Sequence, residues 1–535
     1  MKRREIFLVL LIILIYLCFT IPPLISTKYL TGPDSPFYLL QMRNIKNGEI
    51  YNVFNSYPDR ILTILTQSLV PILVNVDLIF SLKLWIGSIV VLQAITYFLM
   101  VKVMFNKEIA YISVFVLSML AAFYRLVWDL YANFFAIVLF NVVILMYFLN
   151  SKKYSKFKYY FLALFLGLIM YTHNLSAVTF VFLIFLPFTF IWSFYSNLFK
   201  KEPILKIIKR LLYFILFWVL ISLLSLKSWF FPVVRGVVGV ISNKLFGSNY
   251  VVGSAWTTEI YTPNMGSGGF PYNTTAFSKQ LQINYLIISL LGLFALLFKK
   301  KKKKSEFFVI WWTIVLMVLT QQQLFGFHWI PDRNVLLLAW PLSILIAYLI
   351  VNVNKCLRNL VKNKTIIRVI MSIIMAVFIS GSLRKLPSSV ILRNPNNTIE
   401  QEFRFLERVN SYIDENSVII TSNIRHYWSE YLIDKAIIEP GEYYLICGNH
   451  KLKERLGKKW IDHSLYLSRE TDARSVYEMA INEQRLSGKK IYFIISPNDN
   501  CVDDDKFSQS KYFNLIYENH LRLYSLNSDN RNTEI

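Results

Sequence analysis

The sequence predicts a polytopic α-helical membrane protein that carries a small C-terminal α/β domain. Of its 535 residues, 55% are hydrophobic and 16% aromatic, and the mean hydropathy is +0.44. Such a composition is too apolar for a soluble protein of this length. Apolar runs long enough to cross a bilayer recur up to residue 383. Beyond that point the charge is mixed and short strands alternate with helices, which indicates a separate soluble domain.

The distribution of basic residues predicts how the chain crosses the membrane. The net charge of +24 might suit a nucleic-acid-binding protein, but Lys and Arg fall in short clusters between apolar runs rather than on one face. We therefore expect no nucleic-acid partner. Cytoplasmic loops collect Lys and Arg, and here alternate segments hold most of them. This pattern predicts a multi-pass protein of the plasma membrane with its N-terminus inside, its C-terminal domain outside and about eleven spans.

The predicted spans follow from the apolar runs. The first run follows three basic residues and lacks a small-residue cleavage site, so we interpret it as a span rather than a signal peptide. Residues 61–74 are apolar but short, and we expect a helix that lies at the outer interface. The predicted spans are 6–25, 77–104, 109–124, 132–150, 159–171, 175–199, 211–228, 285–298, 307–324, 335–351 and 366–382.

Two domains follow from these assignments. Residues 1–383 form the membrane domain, with long outer loops at 26–76 and 229–284, and residues 384–535 form the extracytoplasmic domain. Alternation of strands and helices in the second domain predicts a parallel sheet. Cys447 and Cys501 share this domain, but nothing in the sequence requires them to pair. Its expected strands are 417–421, 443–447 and 490–496, and its expected helices are 400–415, 425–434 and 472–485.

The conspicuous polar side chains of the membrane domain all fall in outer loops under this topology. Charged groups placed close to a bilayer are costly and are often functional, although loops also carry charge because water reaches them. The sequence therefore predicts one polar site at the outer surface. Its candidate members are Asp34, Asp59, Arg60, Arg125, Asp129, His173, Asn174, Glu259, His328, Asp332 and Arg333.

Asp34 follows the first span and precedes a predicted helix over 35–46. Its residue type and the proline at position 36 both suit an N-cap. A carboxylate beside aromatic groups at a membrane surface could also act as a base, because partial desolvation raises its pKa. The two roles are compatible with one another.

At this point the sequence resembles the GT-C superfamily of polytopic glycosyltransferases that use polyprenyl-phosphate-linked sugars. The resemblance covers the plan of a first span, an acidic outer loop, Tyr57-Pro58 leading into an interfacial helix, many spans and an outer C-terminal domain. It extends to Thr-His-Asn-Leu-Ser-Ala at 172–177 and to Asp-Arg-Asn-Val-Leu-Leu-Leu at 332–338. It implies sugar transfer from a dolichyl- or undecaprenyl-phosphate-like donor to a glycan, lipid or protein acceptor.

The resemblance also implies roles for individual residues. Phosphate leaves as a stable anion, so the reaction needs one base for the acceptor hydroxyl and cations for the phosphate rather than a carboxylate pair. The first-loop acid maps onto Asp34 as the general base, and Asp129 is the candidate second acidic residue; an ion pair of Asp129 with Arg125 is its structural alternative. The candidates for binding the donor phosphate are Arg333, Arg60 and His328, and those for binding substrate are His173, Glu259, Trp128 and Tyr57.

No metal-ligand spacing is visible, so we predict no cofactor, although a divalent metal would be compatible with this chemistry. Two other functions remain open. A transporter or flippase of a lipid-linked sugar is the first, although such proteins usually show paired repeats and broken helices. An oligosaccharyltransferase is the second, since residues 256–259 resemble its acceptor-side loop. Residues 426–431, however, read His-Tyr-Trp-Ser-Glu-Tyr where that family has Trp-Trp-Asp-Tyr-Gly.

Overall fold

The computed structural model describes residues 35–149, 158–200, 281–320, 331–361, 400–421, 431–433, 436–438, 472–495 and 504–527, with scattered positions in 7–18, 212–223 and 365–372. Contacts within the chain divide it into two units. The first unit comprises Met1–Ser26, Asn44–Thr258 and Asn264–Asn394, and the second comprises Thr27–Arg43, Glu259–Pro263 and Pro395–Ile535. The predicted boundary at residue 383 remains a prediction.

Helices make up the described part of the first unit. In chain order they are α1 (Ser35–Lys46, whose last three residues belong to this unit), α2 (Ile50–Ser56), α3 (Ile61–Val74), α4 (Leu78–Met104), α5 (Lys107–Ser118), α6 (Ala121–Asp129), α7 (Tyr131–Phe148), α8 (Lys158–Met170), α9 (Asn174–Ala177), a π-helical segment (Val178–Phe185), α10 (Leu186–Lys200), α11 (Ile283–Leu297), α12 (Lys304–Thr320) and α13 (Pro331–Leu360).

Three of the described helices, α4, α7 and α13, are long and apolar enough to cross a membrane. The predicted interfacial segment is helical over Ile61–Val74. Many apolar helices therefore agree with a polytopic protein, whereas the number of eleven spans and the N-in, C-out orientation remain predictions. The shorter apolar helices are Val9–Cys18, Ile61–Val74, Lys158–Met170, Val178–Phe194 and Ile283–Leu297.

The predicted span over 109–124 is not one helix. It is divided into α5 and α6, because Leu120 adopts an extended backbone conformation. The carbonyl groups at the break have side-chain donors: the Tyr124 hydroxyl donates to Ser118 O at 2.8 Å, and Gln282 Nε2 donates to Met119 O at 3.4 Å. Polar backbone groups at a helix end are costly inside apolar surroundings unless they are paired. These two hydrogen bonds therefore offset the energetic cost of the break.

The predicted span over 175–199 contains a π-helical segment, Val178–Phe185, between α9 and α10. Pro187 follows this segment within the first turn of α10 and cannot donate a backbone hydrogen bond. A neighbouring carbonyl of the segment, that of Ile184, accepts a hydrogen bond from Trp311 Nε1 at 3.0 Å. Short π-helical segments are rare and are often found at functional sites. This one begins directly after the turn that contains His173.

Two buried polar contacts align the long helices of the first unit. Asn141 Nδ2 of α7 donates to Gln93 Oε1 of α4 at 2.8 Å, and the Tyr97 hydroxyl of α4 donates to Trp340 O of α13 at 2.8 Å. Hydrogen bonds between apolar helices oppose rotation or sliding of one helix against the other. They therefore fix the relative register of α4, α7 and α13.

Close packing of α11 against α13 depends on Gly292. A Cβ atom built at this position would lie 2.4 Å from the backbone oxygen of Leu345. Backbone cannot yield as the end of a flexible side chain can, so the two helices approach this closely because Gly292 lacks a side chain.

Replacing Gly292 with Ala should lower the melting temperature of the purified protein, because α11 must move away from α13. The expected cost is about 1–3 kcal/mol, the usual range for overpacking a core. Gly87→Ala is the matched control, since a Cβ there meets nothing within 4 Å and a helical Gly→Ala change stabilises by about 0.5–1 kcal/mol. Equal melting temperatures for the two variants would refute the close contact.

The described C-terminal part of the second unit contains a five-stranded sheet in the order β2-β1-β3-β5-β4. The predicted strand over 417–421 is present with those bounds. The prediction of a parallel sheet is wrong for the sheet as a whole, because only β1, β2 and β3 are parallel while β5 is antiparallel to β3 and β4. The elements are α14 (Glu400–Val409), β1 (Ser417–Thr421), β2 (Ala436–Ile438), α15 (Ala473–Ser487), β3 (Lys490–Ile495), α16 (Asp505–Ser508), β4 (Phe513–Glu518) and β5 (Arg522–Leu526).

The sheet carries helices on both faces. Val476 and Ala480 of α15 pack in a core with Ile420 and Phe493 on one face. On the other face, Phe405 of α14 stacks on Tyr517 of β4, with ring centroids 5.0 Å apart. Burial of both faces explains why the strands read as nearly continuous apolar runs. The predicted strand over 443–447, all of the predicted helix over 425–434 except residues 431–433, and Cys447 and Cys501 lie outside the described residues.

Candidate active site at the helix ends

A tight turn between α2 and α3 places Asp59 and Arg60 at the start of α3. The backbone N–H of Arg60 donates to Tyr57 O at 3.0 Å and closes the turn, and Arg60 is the residue that precedes α3. Their side chains are partly buried, 19% exposed for Asp59 and 26% for Arg60. The Tyr-Pro segment noted in the sequence thus ends α2 and holds two charged groups together.

The first turn of α3 is bonded to the turn that follows α8. The Leu62 N–H donates to Tyr171 O at 3.0 Å, and the Thr63 hydroxyl lies 3.5 Å from Thr172 O. Arg60 precedes the first of these contacts by two residues, and His173 follows it by two. Residues far apart in the sequence are thereby brought into one neighbourhood.

The turn that begins at His173 connects this region to α7. Its side chain is only 3% exposed, and its carbonyl accepts the Ala177 N–H at 2.9 Å, so it begins the turn of α9. One turn on, the Ser176 hydroxyl donates to Asn133 Oδ1 at 2.9 Å. Asn133 lies in the first turn of α7, and Asp129 is the last residue of α6, two positions before α7 begins. The backbone of Asp129 therefore belongs to the same end of the helices.

Arg333 lies in the first turn of α13, which packs against α6. The next residue, Asn334, is 1% exposed, and its Oδ1 has no hydrogen-bond partner within the described residues. Buried side-chain polar atoms are nearly always bonded, so an ordered water or a ligand would be expected to donate to this oxygen. The start of α13 thus carries a basic residue and a buried amide, in addition to the polar groups at the starts of α3, α7 and α9.

The electrostatic balance at Asp59 differs from that of an ordinary surface carboxylate. Burial raises the pKa of the Asp59 carboxyl, and the positive charge of Arg60 offsets only part of this effect. Arg60 Nε lies 4.0 Å from Asp59 Oδ2, which is too long for a hydrogen bond. The pair is therefore held close without the directional contact that would stabilise both charges fully.

Asp59→Asn should raise the melting temperature at pH 7, because it removes a carboxylate that is costly to ionise in the folded protein. A raised folded-state pKa favours folding below the unfolded-state pKa of about 3.9, and this benefit is lost as the pH rises through the folded-state value. The gain from the substitution should therefore shrink toward pH 4. A lower melting temperature at pH 7 would show instead that Arg60 stabilises the charged form.

The matched control for this measurement is Asp77→Asn. Asp77 caps α4, accepting the Phe80 N–H at 2.9 Å through its side chain, and this contact is exposed. Because Asn is also a good cap, the control variant should show little change and no stabilisation that grows with pH.

The structure brings together only some of the predicted site residues. Tyr57 and Arg60 form the turn before α3, His173 lies two residues after the carbonyl that bonds the first turn of α3, and the backbone of Asp129 lies just before α7. The side chains of Trp128, Asp129 and Arg333 are outside the described part. Asp34, Glu259 and His328 are outside it altogether, so their roles remain predictions.

Sequence reasoning places Asp59 in the outer loop without a role, includes Ser176 only as part of the motif at 172–177, and misses Asn133. Ser176 and Asn133 each have a buried polar side chain close to the start of an apolar helix. That position was the available signal, because polar residues inside apolar runs need partners. Their hydrogen bond joins the two helices that carry the site.

Among the described residues, no three His, Cys, Asp or Glu side chains come together as a metal site requires. The side chains of Asp34 and Asp129 lie outside the described part of the chain. No step of the chemistry is therefore assigned to a metal.

No protein-family model matches this sequence, and no curated protein matches it. Solved structures do. The apo oligosaccharyltransferase of Archaeoglobus fulgidus aligns with a TM-score of 0.62 at 12% identity, over 92% of this chain and 70% of that one. ArnT of Cupriavidus metallidurans bound to undecaprenyl phosphate aligns with a TM-score of 0.58 at 9% identity, over 97% of both chains. Mycobacterial arabinofuranosyltransferase AftD gives 0.53 at 10% identity, over 98% of this chain and 42% of that one.

These structures and the chain share a fold. Their sequence identity is too low to establish anything beyond the fold. The chain therefore shares its fold with these membrane glycosyltransferases, and the fold that the resemblance in the sequence implies is confirmed. Two further structures of the Archaeoglobus protein contain dolichol-phosphate with an inhibitory peptide, and Zn with sulfate.

Proposed function

We propose that this protein transfers a sugar from a polyprenyl-phosphate donor to a glycan, lipid or protein acceptor at the outer face of the plasma membrane. The observation that carries the proposal is the fold shared over 97% of both chains with ArnT bound to undecaprenyl phosphate. A match over the whole of both chains includes the region after the last predicted span as well as the membrane helices.

In this reaction, one residue acts as the base and three residues bind the donor phosphate. Asp34 accepts the proton of the acceptor hydroxyl as that oxygen attacks the anomeric carbon of the sugar. The bond from this carbon to the phosphate oxygen breaks, and the electron pair leaves with polyprenyl phosphate. Because phosphate is a stable anion, no acid needs to protonate it. Arg333, Arg60 and His328 would bind its oxygens, for which guanidinium groups are geometrically suited.

The local geometry of Arg60 supports its part in this scheme. It precedes α3 directly, and its Nε lies 4.0 Å from Asp59 Oδ2. A guanidinium group in this position can form charge-assisted hydrogen bonds with a phosphate. Asp59 would then orient Arg60 rather than neutralise it.

An oligosaccharyltransferase activity is the second candidate, and one observation favours it: the Archaeoglobus enzyme gives the higher TM-score. This chain spans only 70% of that protein, and residues 426–431 depart from the motif of that family. A transporter or flippase of a lipid-linked sugar is the remaining alternative. The three activities differ in whether the lipid-linked donor loses one sugar, loses a whole oligosaccharide or crosses the membrane intact.

Proteoliposomes that contain the purified protein and radiolabelled polyprenyl-phosphate sugar distinguish the alternatives. With an outer-membrane or cell-wall extract as acceptor, we expect label in the acceptor and unlabelled polyprenyl phosphate as the second product. Movement of intact donor across the bilayer without transfer would favour a flippase. Label that is transferred only from oligosaccharide-linked lipid would favour an oligosaccharyltransferase.

A further inference from the structure

The end of α7 opposite to the candidate active site carries two lysines that approach one aromatic ring. Lys304, the first residue of α12, places its Nζ 3.8 Å from the centroid of the Tyr147 ring. Lys158, the first residue of α8, places its Nζ 5.9 Å from the same centroid. Two ammonium groups thus converge on a single side chain.

No carboxylate in the two connecting segments is left to balance these lysines. Residues 149–158 contain no Asp or Glu, and residues 298–306 contain only Glu306. Glu306 is already engaged, because its Oε1 lies 2.5 Å from Lys299 Nζ and its Oε2 accepts the Lys303 N–H at 2.8 Å. Like charges that converge without a counter-ion repel each other, and this repulsion is strongest where water is partly excluded.

The two ammonium groups also differ in their hydrogen-bond acceptors. Lys158 Nζ donates to the carbonyl oxygens of Tyr147 and Leu149, at 2.8 and 3.2 Å, at the negative end of α7. Lys304 is partly buried, and within the described residues its ammonium group contacts aromatic rings but has no hydrogen-bond acceptor. Its N–H donors therefore have no acceptor oxygen among the described protein groups.

The setting of this lysine pair is that of a membrane surface. Phe298, at the end of α11, is 82% exposed, and Lys300, Lys301 and Lys302 beside it are exposed as well. The 18 residues of α7 extend about 27 Å at 1.5 Å per residue, close to the thickness of a hydrocarbon core, with Asn133 in the first turn and Tyr147 in the last. The distribution of basic residues predicts that this is the inner surface.

We propose that Lys158 and Lys304 form a binding site for the phosphate group of an anionic phospholipid at this surface. A phosphate oxygen accepts a hydrogen bond from the Lys304 ammonium group, and the negative charge relieves the repulsion between the two ammonium groups. The exposed lysines at 300–302 add long-range attraction for the same headgroup, and the apolar side chain of Phe298 lies beside its acyl chains.

Spin-labelled lipids in nanodiscs test this site on the full-length protein. We expect wild type to immobilise phosphatidylglycerol several-fold more than phosphatidylcholine, and the Lys158→Gln/Lys304→Gln variant to lose at least half of this preference. The Lys158→Arg/Lys304→Arg variant keeps both charges and should retain it. Lys102→Gln/Lys355→Gln is the matched control, because it removes two positive charges from other basic segments of the same predicted surface.

Three outcomes would overturn the proposal. The first is an unchanged preference for phosphatidylglycerol in a Lys158→Gln/Lys304→Gln variant that elutes as a folded monodisperse species. The second is an equal loss in the control variant, which would indicate general surface charge rather than a site. The third is displacement of labelled phosphatidylglycerol by inorganic phosphate alone, which would identify the ligand as soluble phosphate.

Discussion

Asp34→Asn should lower the turnover of sugar transfer by roughly 100- to 10,000-fold, the range that general-base catalysis commonly supplies. The amide has nearly the shape of the carboxylate, but it cannot accept the proton of the attacking hydroxyl. Because Asn is as good a helix cap as Asp, the substitution preserves the capping role while removing the catalytic one. It therefore separates the two interpretations that the sequence leaves open.

The measurement is a single-turnover assay of labelled sugar transfer, with melting temperatures determined on the same preparations. Asp77→Asn is the control, because Asp77 is an aspartate whose capping hydrogen bond is described, at 2.9 Å to the Phe80 N–H. It should keep full activity. If Asp34→Asn were as active as this control, Asp34 would be a cap and the base would have to be another residue.

Arg333→Gln should reduce kcat/KM for the polyprenyl-phosphate donor by roughly 10- to 150-fold. This range corresponds to the loss of one charge-assisted hydrogen bond of about 1.5–3 kcal/mol. Arg333→Lys should recover part of the loss, since it restores the charge but not the planar pair of donors. The loss should depend on the phosphate of the donor and should leave the KM for the acceptor nearly unchanged.

The control for this substitution lies on the same helix. Arg358 is in the last turn of α13, at the opposite end from Arg333. Arg358→Gln removes an equal charge and should leave kcat/KM within about twofold, because the effect of a distant surface charge is screened over a Debye length of roughly 8–10 Å. Equal losses in the two variants would mean that Arg333 stabilises the helix rather than the donor phosphate.

The sequence predicted the helices well wherever apolar length decided the outcome. The predicted span at 77–104 is helical over Leu78–Met104, and the short helix in the first outer loop has the bounds 35–46 that were expected. It did not predict the break at Leu120 or the π-helical segment before Pro187. Both depend on hydrogen-bond partners from distant helices, such as Gln282 and Trp311, which no local pattern contains.

The C-terminal sheet shows the same limitation in another form. Buried strands such as Ser417–Thr421 stand out as continuous apolar runs, and β1 was predicted exactly as it is found. The antiparallel pair of β4 and β5 was missed, because exposed residues interrupt the apolar pattern of β4 and a bulge shifts its register between Leu515 and Tyr517. The prediction of a parallel sheet is correct for β1 to β3. It is wrong for β4 and β5, which form an antiparallel hairpin.

The candidate site was predictable only as a list of residue types on one predicted side of the membrane. Arg60 and His173 were both named from the sequence, but their proximity depends on one backbone contact, from the Leu62 N–H to Tyr171 O. The link from Ser176 to Asn133 likewise joins α9 to α7 through side chains that lie far apart in the sequence. A polar residue inside an apolar run signals that it needs a partner, but the local sequence does not identify that partner.

Mass spectrometry of surface glycans, from cells with and without this protein, tests the central claim most directly. The claim predicts that deletion removes one specific sugar from a surface glycan, glycolipid or glycoprotein, and that the corresponding polyprenyl-phosphate sugar accumulates. Reintroducing the wild-type chain should restore the sugar, whereas the Asp34→Asn variant should not. Unchanged glycans without accumulated donor would contradict the claim, and loss of an entire oligosaccharide would point to an oligosaccharyltransferase instead.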